Sequence, residues 1–111
     1  MITVTLRAQS GELFDVTALL DSGADVSMFS PSVANILGLK PRKGKRRIFR
    51  GIGGEIEAYV HRIEFRIGTL RFHARVAFPT VEIPNILGRL DLMKNIEVIF
   101  KDERELSIES P

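Results

Sequence analysis

Residues 18–29 read ALLDSGADVSMF, a carboxylate, a hydroxyl and a glycine in direct succession between two apolar runs. Asp-Ser-Gly is ordinarily turn chemistry, because Asp and Ser side chains bond nearby backbone and Gly tolerates positive φ. A surface turn is normally flanked by polar residues. Here Ala18, Leu19 and Leu20 precede it, and Val26, Met28 and Phe29 follow. The arrangement brings Asp21 to the edge of a core, where an ionisable group can be tuned for chemistry.

The chain around this stretch is that of an ordinary folded domain. At 111 residues it suits one domain, 1–111, with a modest core. Its 44% hydrophobic and 27% charged residues argue against disorder. No apolar run reaches membrane-spanning length, and no secretory signal is expected in MITVTLRAQSG. There is no Cys, so disulfides and thiolate metal sites are excluded, and a reducing cytoplasm is the default location.

Period-two alternation dominates, so the chain reads as mainly β. ITVTL (2–6) and ELFDVTALL (12–20) flank QSG as a hairpin, with Phe14, Val16, Ala18 and Leu20 on one face. Ile63, Phe65 and Ile67, then Leu70, Phe72, Ala74, Val76 and Phe78, alternate with polar residues around a turn at Gly68-Thr69. Arg71, His73 and Arg75 face the wet side. Ser30 as cap, Pro31 at the first position and Gly38 at the stop predict a short helix over SVANIL. RLDLMKN (89–95) reads as a second helix, and IEVIF and ELSIE as a closing hairpin. The expected architecture is a closed, barrel-like, mostly β domain.

In RRIFRGIGGEIEAYV (46–60), two β-prone arms meet at Gly51-Ile52-Gly53-Gly54, giving a hairpin with a pliable tip. A dinucleotide-binding turn would need a third Gly where Ile56 sits, and a helix where EIEAYV reads as strand. The hairpin is better read as a lid. Six of the eight residues in KPRKGKRR (40–47) are basic, but no aromatics interleave them for base stacking. This run is expected to be a solvated loop.

A carboxylate at a core edge, a glycine that admits substrate backbone and a flexible lid suit peptide hydrolysis by two carboxylates sharing one proton. Two like charges about 3 Å apart cannot both ionise, so one member takes a proton from water while the other polarises the scissile carbonyl. The chain has only one Asp-Ser-Gly, and Asp91 and Asp102 lie in no comparable setting. The second carboxylate must then be Asp21 of another copy, set by a two-fold axis.

With LLDSGAD, GIGG and NILGR occurring in that order over residues 19–89, the chain resembles the retropepsin-type aspartic proteases, single-domain homodimeric relatives of pepsin that include the retroviral proteases. The resemblance implies an all-β, closed, barrel-like acid-protease fold with a β-hairpin flap and one or two short helices. It implies that Asp21 is the catalytic aspartate within the active-site loop Ser22, Gly23, Ala24 and Asp25. The Ser22 hydroxyl would bond across the dimer, and the Gly23 carbonyl would meet substrate backbone. Asp25 would contact substrate and pair with Arg89 in a partly buried ion pair. Arg50, Gly51, Ile52, Gly53 and Gly54 would form the flap tip. Leu19, Met28, Ile83 and Ile86, with Ile52, would line side-chain pockets, although ordinary core is an equal reading for each.

Ser22 stands where many relatives carry Thr, and Arg50 of each copy would set two positive charges over the cleft. The terminal hairpin is longer than in the smallest retroviral enzymes. His61 and His73 are the only histidines, so no metal site and no cofactor is expected. Neither Ser22 nor Ser27 lies in a Gly-x-Ser-x-Gly elbow. The expected function is a homodimeric aspartic endopeptidase acting on extended polypeptide. The alternative is a retropepsin-fold module that binds peptide with little or no turnover. A nucleic-acid adaptor would rest on residues 40–47 alone, so neither nucleic acid nor membrane is an expected partner.

Overall fold

The computed structural model describes residues 1–88 apart from Ser22 and Ile52. Its first hairpin pairs β1 (Ile2–Arg7) with β2 (Leu13–Leu20). The register sets Leu6 opposite Phe14, Val4 opposite Val16 and Ile2 opposite Ala18. Val4, Leu6 and Ala18 are buried, with Ile2, Phe14 and Val16 packed against them. The same face continues to Leu20, which is 48% exposed because the strand runs past the end of the core.

After the Asp21 loop come β3 (Ser27–Met28) and α1 (Pro31–Ile36). Pro31 opens the helix as expected, and Gly38 follows it with φ of 74°, a left-handed conformation that suits glycine. Ser30 stands at the N-cap but makes no capping bond. Its hydroxyl turns instead to Ser32 Oγ and the Glu82 carboxylate, stronger partners than a backbone N–H. Val33, Ala34 and Leu37 join the buried core.

KPRKGKRR is no plain loop. Pro41–Lys43 form a 3-10 turn, and Lys45–Gly51 are strand β4. The pairing with β5 (Gly54–Ile67) explains the difference, since it sets Arg46 opposite Tyr59 and brings Arg46 Nε to 3.2 Å from Glu57 Oε1. β5 turns through Gly68-Thr69 into β6 (Leu70–Pro79). Phe65 and Phe72 stack at 5.5 Å, and Phe29 meets Phe65 edge-on at 6.2 Å. On the wet side, Glu64 lies 3.0 Å from Arg66 and 3.7 Å from Arg7.

The last described strand, β7 (Ile86–Leu87), enters between β2 and β3, parallel to the first and antiparallel to the second. The strand order β1-β2-β7-β3-β6-β5 returns to β1 through Leu6 opposite Phe65, which closes a six-stranded barrel. One edge of β5 is shared: β4 takes Gly54–Val60, and β1 takes Phe65 and Arg66. The β4–β5 hairpin therefore projects beyond the closed ring. The helix and closing hairpin expected after residue 88 lie outside the described residues, and no described helix is long and apolar enough to cross a membrane.

Candidate active site

Asp21 is the first residue beyond β2, where the chain leaves the sheet against β7. The Asp21 N–H donates to Leu87 O at 3.1 Å, continuing the ladder begun by Leu19 N–H to Asn85 O at 2.8 Å. Asp21 Oδ1 accepts the Gly23 N–H at 2.9 Å, and the Ala24 N–H donates to Asp21 O at 3.2 Å. The loop thus folds back on its own aspartate, an Asx-turn that fixes one carboxylate oxygen and leaves the group half-exposed. A Cβ at Gly23 would lie 3.3 Å from Asp21 Oδ1, so glycine gives the tightest fit there.

Three residues not singled out by type hold this loop in place. Gly88 approaches the backbone of residues 26 and 27 so closely that a Cβ would lie 2.4 Å from Val26 C and 2.7 Å from Ser27 N. The Gly88 N–H donates to the buried Ser27 Oγ at 3.0 Å. The Asn85 amide joins two further segments, accepting the Ser30 N–H at 2.9 Å and donating to Thr17 O at 3.1 Å. Asn85 and Gly88 belong to NILGR, so the motif marked the segment. That it frames the Asp21 loop needed the tertiary pairing.

Leu19, Ile86 and Met28 are direct partners across three strands, so their side chains stand in one row. Leu19 is 50% exposed and Met28 and Ile86 are half-buried, so this row is an apolar strip at the end of β2 that Asp21 follows. Ile83, also half-buried, lies outside the paired row. Asp25 is exposed and has no ion pair among the described residues. Ser22, Ile52 and Arg89 lie outside them, and with Arg89 the expected ion pair.

The flap closes with Gly51 opposite Gly54, whose φ is 111°. Arg50 does not stand as a lone cation: Arg50 Nε lies 3.3 Å from Glu55 Oε1, in a solvent-exposed pair. At the flap's base the Tyr59 hydroxyl donates to Glu57 Oε1 at 2.5 Å. That bond, and next the one from Arg46, hold the Glu57 carboxyl below its usual range. No group of three potential metal-binding side chains occurs among the described residues.

The sequence profile described as aspartyl protease matches residues 4–89, most of the chain. Two solved structures share the fold. One is EIAV protease complexed with the inhibitor HBY-793, at 22% identity and a TM-score of 0.60, with 79% of each chain covered. The other is a retropepsin-like aspartic protease from Rickettsia conorii, at 20% identity and a TM-score of 0.57, covering 77% of this chain and 80% of that one. No curated protein matches significantly.

Proposed function

The chain belongs to the aspartyl protease family, and from that premise we propose that it is an endopeptidase whose active site forms between two copies. The observation that carries this reading is the framing of Asp21. Its carboxylate, fixed through Oδ1 by the Gly23 N–H, stands where β2 ends, directly after two leucines that are 50% and 48% exposed. The two leucines stand on opposite faces of β2, Leu19 in the apolar row with Ile86 and Met28 and Leu20 on the face of Ala18. There the exposed apolar side chain of Leu20 suits cover by a second copy. A two-fold axis there would bring the two Asp21 carboxylates together.

In that dimer the pair shares one proton. The ionised Asp21 takes a proton from water as the oxygen attacks the scissile carbon. The protonated Asp21 hydrogen-bonds the carbonyl oxygen and delivers its proton to it, giving the diol. The Asp21 that took water's proton then passes it to the amide nitrogen while the other, now ionised, takes a proton from the diol, and the C–N bond breaks to release acid and amine. The Gly23 carbonyl accepts a substrate N–H, Ser22 links the two loops, and Asp25 with Arg89 braces each loop. The Gly51–Gly54 tip closes over an extended peptide whose apolar side chains lie along Leu19, Met28, Ile83 and Ile86. A cytoplasmic location belongs to the same proposal.

Asp21→Asn keeps the shape and removes the base, so cleavage of an unstructured protein should fall roughly 10²–10⁴-fold with the fold intact. Excess Asp21→Asn chain should also poison the native protein through mixed dimers once subunits exchange. A variant as active as the native chain, or a fully active monomer in sedimentation, rules the shared dyad out. Cleavage blocked by a statine-type analogue separates an enzyme from a peptide-binding module.

A further inference from the structure

A cavity of about 510 Å³ opens at the root of the flap, lined by Lys40, Arg42 and Lys43 over an apolar floor that includes Pro31, Tyr59 and Pro79. None of its lining residues belongs to the Asp21 loop. The size falls within the roughly 300–1,000 Å³ of sites that enclose a ligand. The turn that carries its cations is fixed. His61 Nε2 lies 2.9 Å from Pro41 O, and a Cβ at Gly44 would meet the His61 ring at 2.6 Å, so the 3-10 turn is fastened against β5. Neither Lys40 nor Lys43 has an ion pair among the described residues. Arg42 lies over the Tyr59 ring at 5.8 Å with Nη1 at 3.3 Å from its hydroxyl.

We infer that this cavity is an accessory site for an acidic, apolar-flanked segment of polypeptide, engaged by the substrate outside the catalytic cleft. The cations match carboxylates and the proline and tyrosine surfaces match apolar side chains, so the pocket reads both chemistries at once. Its position suits a substrate already held in the cleft. Thr80 lines the cavity, and three residues on is Ile83. Three residues of chain span at most about 10 Å, a distance that extended peptide covers in as many residues. The Thr80 edge of the cavity therefore lies within that reach of a side chain seated near Ile83, and an acidic run that continues past it meets the wall that Lys40 and Lys43 line. This rests on the proposed cleft, and the pocket's contact with flap strand β5 through Tyr59 joins the two.

The test uses the full chain and a Lys40→Gln/Lys43→Gln variant; both lysines are exposed, so the fold should be unaffected. Fluorescence anisotropy measures binding of a labelled Glu-Leu-Glu-Leu-Glu-Leu peptide and of its Gln-Leu counterpart. The acidic peptide should bind about tenfold more tightly, and the variant should lose about that factor. In cleavage, an acidic run placed beyond the apolar core of a test substrate should lower KM about tenfold, with kcat unchanged, in the native chain only. Lysine-dependent binding without any cleavage would uphold the accessory site while overturning the protease reading. Cleavage equally efficient with and without the acidic run, together with equal binding of the two peptides, would overturn the site and leave the protease standing. A DNA hexanucleotide that binds more tightly than the acidic peptide through the same lysines would overturn the assignment to polypeptide.

Discussion

Replacing Gly88 by alanine places a methyl where the chain has room for none. The new Cβ would stand 2.4 Å from Val26 C, 2.6 Å from Val26 O and 2.7 Å from Ser27 N. All three atoms are backbone, so no flexible side chain can swing aside, and β7 itself must retreat. Overpacking of a tight site costs roughly 1–3 kcal/mol, and backbone neighbours put this case at the upper end. Retreat also stretches the 3.0 Å bond from Gly88 N–H to Ser27 Oγ, worth about 1 kcal/mol. The total, roughly 3–4 kcal/mol, corresponds to a melting temperature lower by on the order of 10–20 °C. Gly53→Ala is the control: no described atom lies within 4 Å of its Cβ, and its φ is outside the left-handed range, so stability should hold within about 0.5 kcal/mol. Thermal unfolding followed by far-UV circular dichroism, at one fixed protomer concentration, compares the three chains. A Gly88→Ala protein melting within about 3 °C of the native chain would show that the approach of β7 to residues 26 and 27 is not tight, and the account of the frame would fall.

Asn85→Ala leaves the buried Ser30 N–H without its acceptor and Thr17 O without its donor, so urea unfolding should show a loss of about 2–3 kcal/mol, and Asn85→Asp should restore only the Ser30 bond. Glu57 gives a pH signature. Because its carboxyl is held below the usual range in the folded chain, its contribution is present above the ordinary carboxylate pKa and is lost as pH falls through the lowered one. Glu57→Gln should therefore flatten the acid side of the stability–pH curve, and unchanged curvature between neutral and acidic pH would refute the Tyr59–Glu57–Arg46 linkage. Dilution below the dimer dissociation constant should lower activity per chain, and constant specific activity across that range would argue against a shared site.

Much of the barrel could be read from alternation because its hairpins are local. Phe72, Ala74, Val76 and Phe78 announce one buried face, and two-residue turns fix the partner strand. Alternation says less where both faces are covered, as at Ala77 beside Val76 and Phe78, all fully buried. It says nothing for β3 and β7, each two residues long and paired with distant strands. The aspartate loop was legible from composition, since Asp-Ser-Gly between apolar runs is a rare order. The residues that frame it were not, because Ser27, Asn85 and Gly88 act through bonds between distant segments. Ser30 was misread for the same reason: a local cap was expected, and a distant carboxylate took its hydroxyl.

The insertion of β7 has a consequence for the order in which the molecule can be made. The bond from Gly88 to Ser27 spans 61 positions in sequence, and the clamp from Asn85 to Ser30 spans 55. Contacts of such range form late, because chain closure must be met before any of them is gained. A growing chain that has not yet delivered residues 85–88 already carries Asp21 and its local turn to Gly23, but it lacks the Leu87 carbonyl that the Asp21 N–H bonds and the Asn85 and Gly88 bonds that frame the loop. The site is therefore assembled from its two ends, and during synthesis it comes into being only after nearly all of the barrel has emerged.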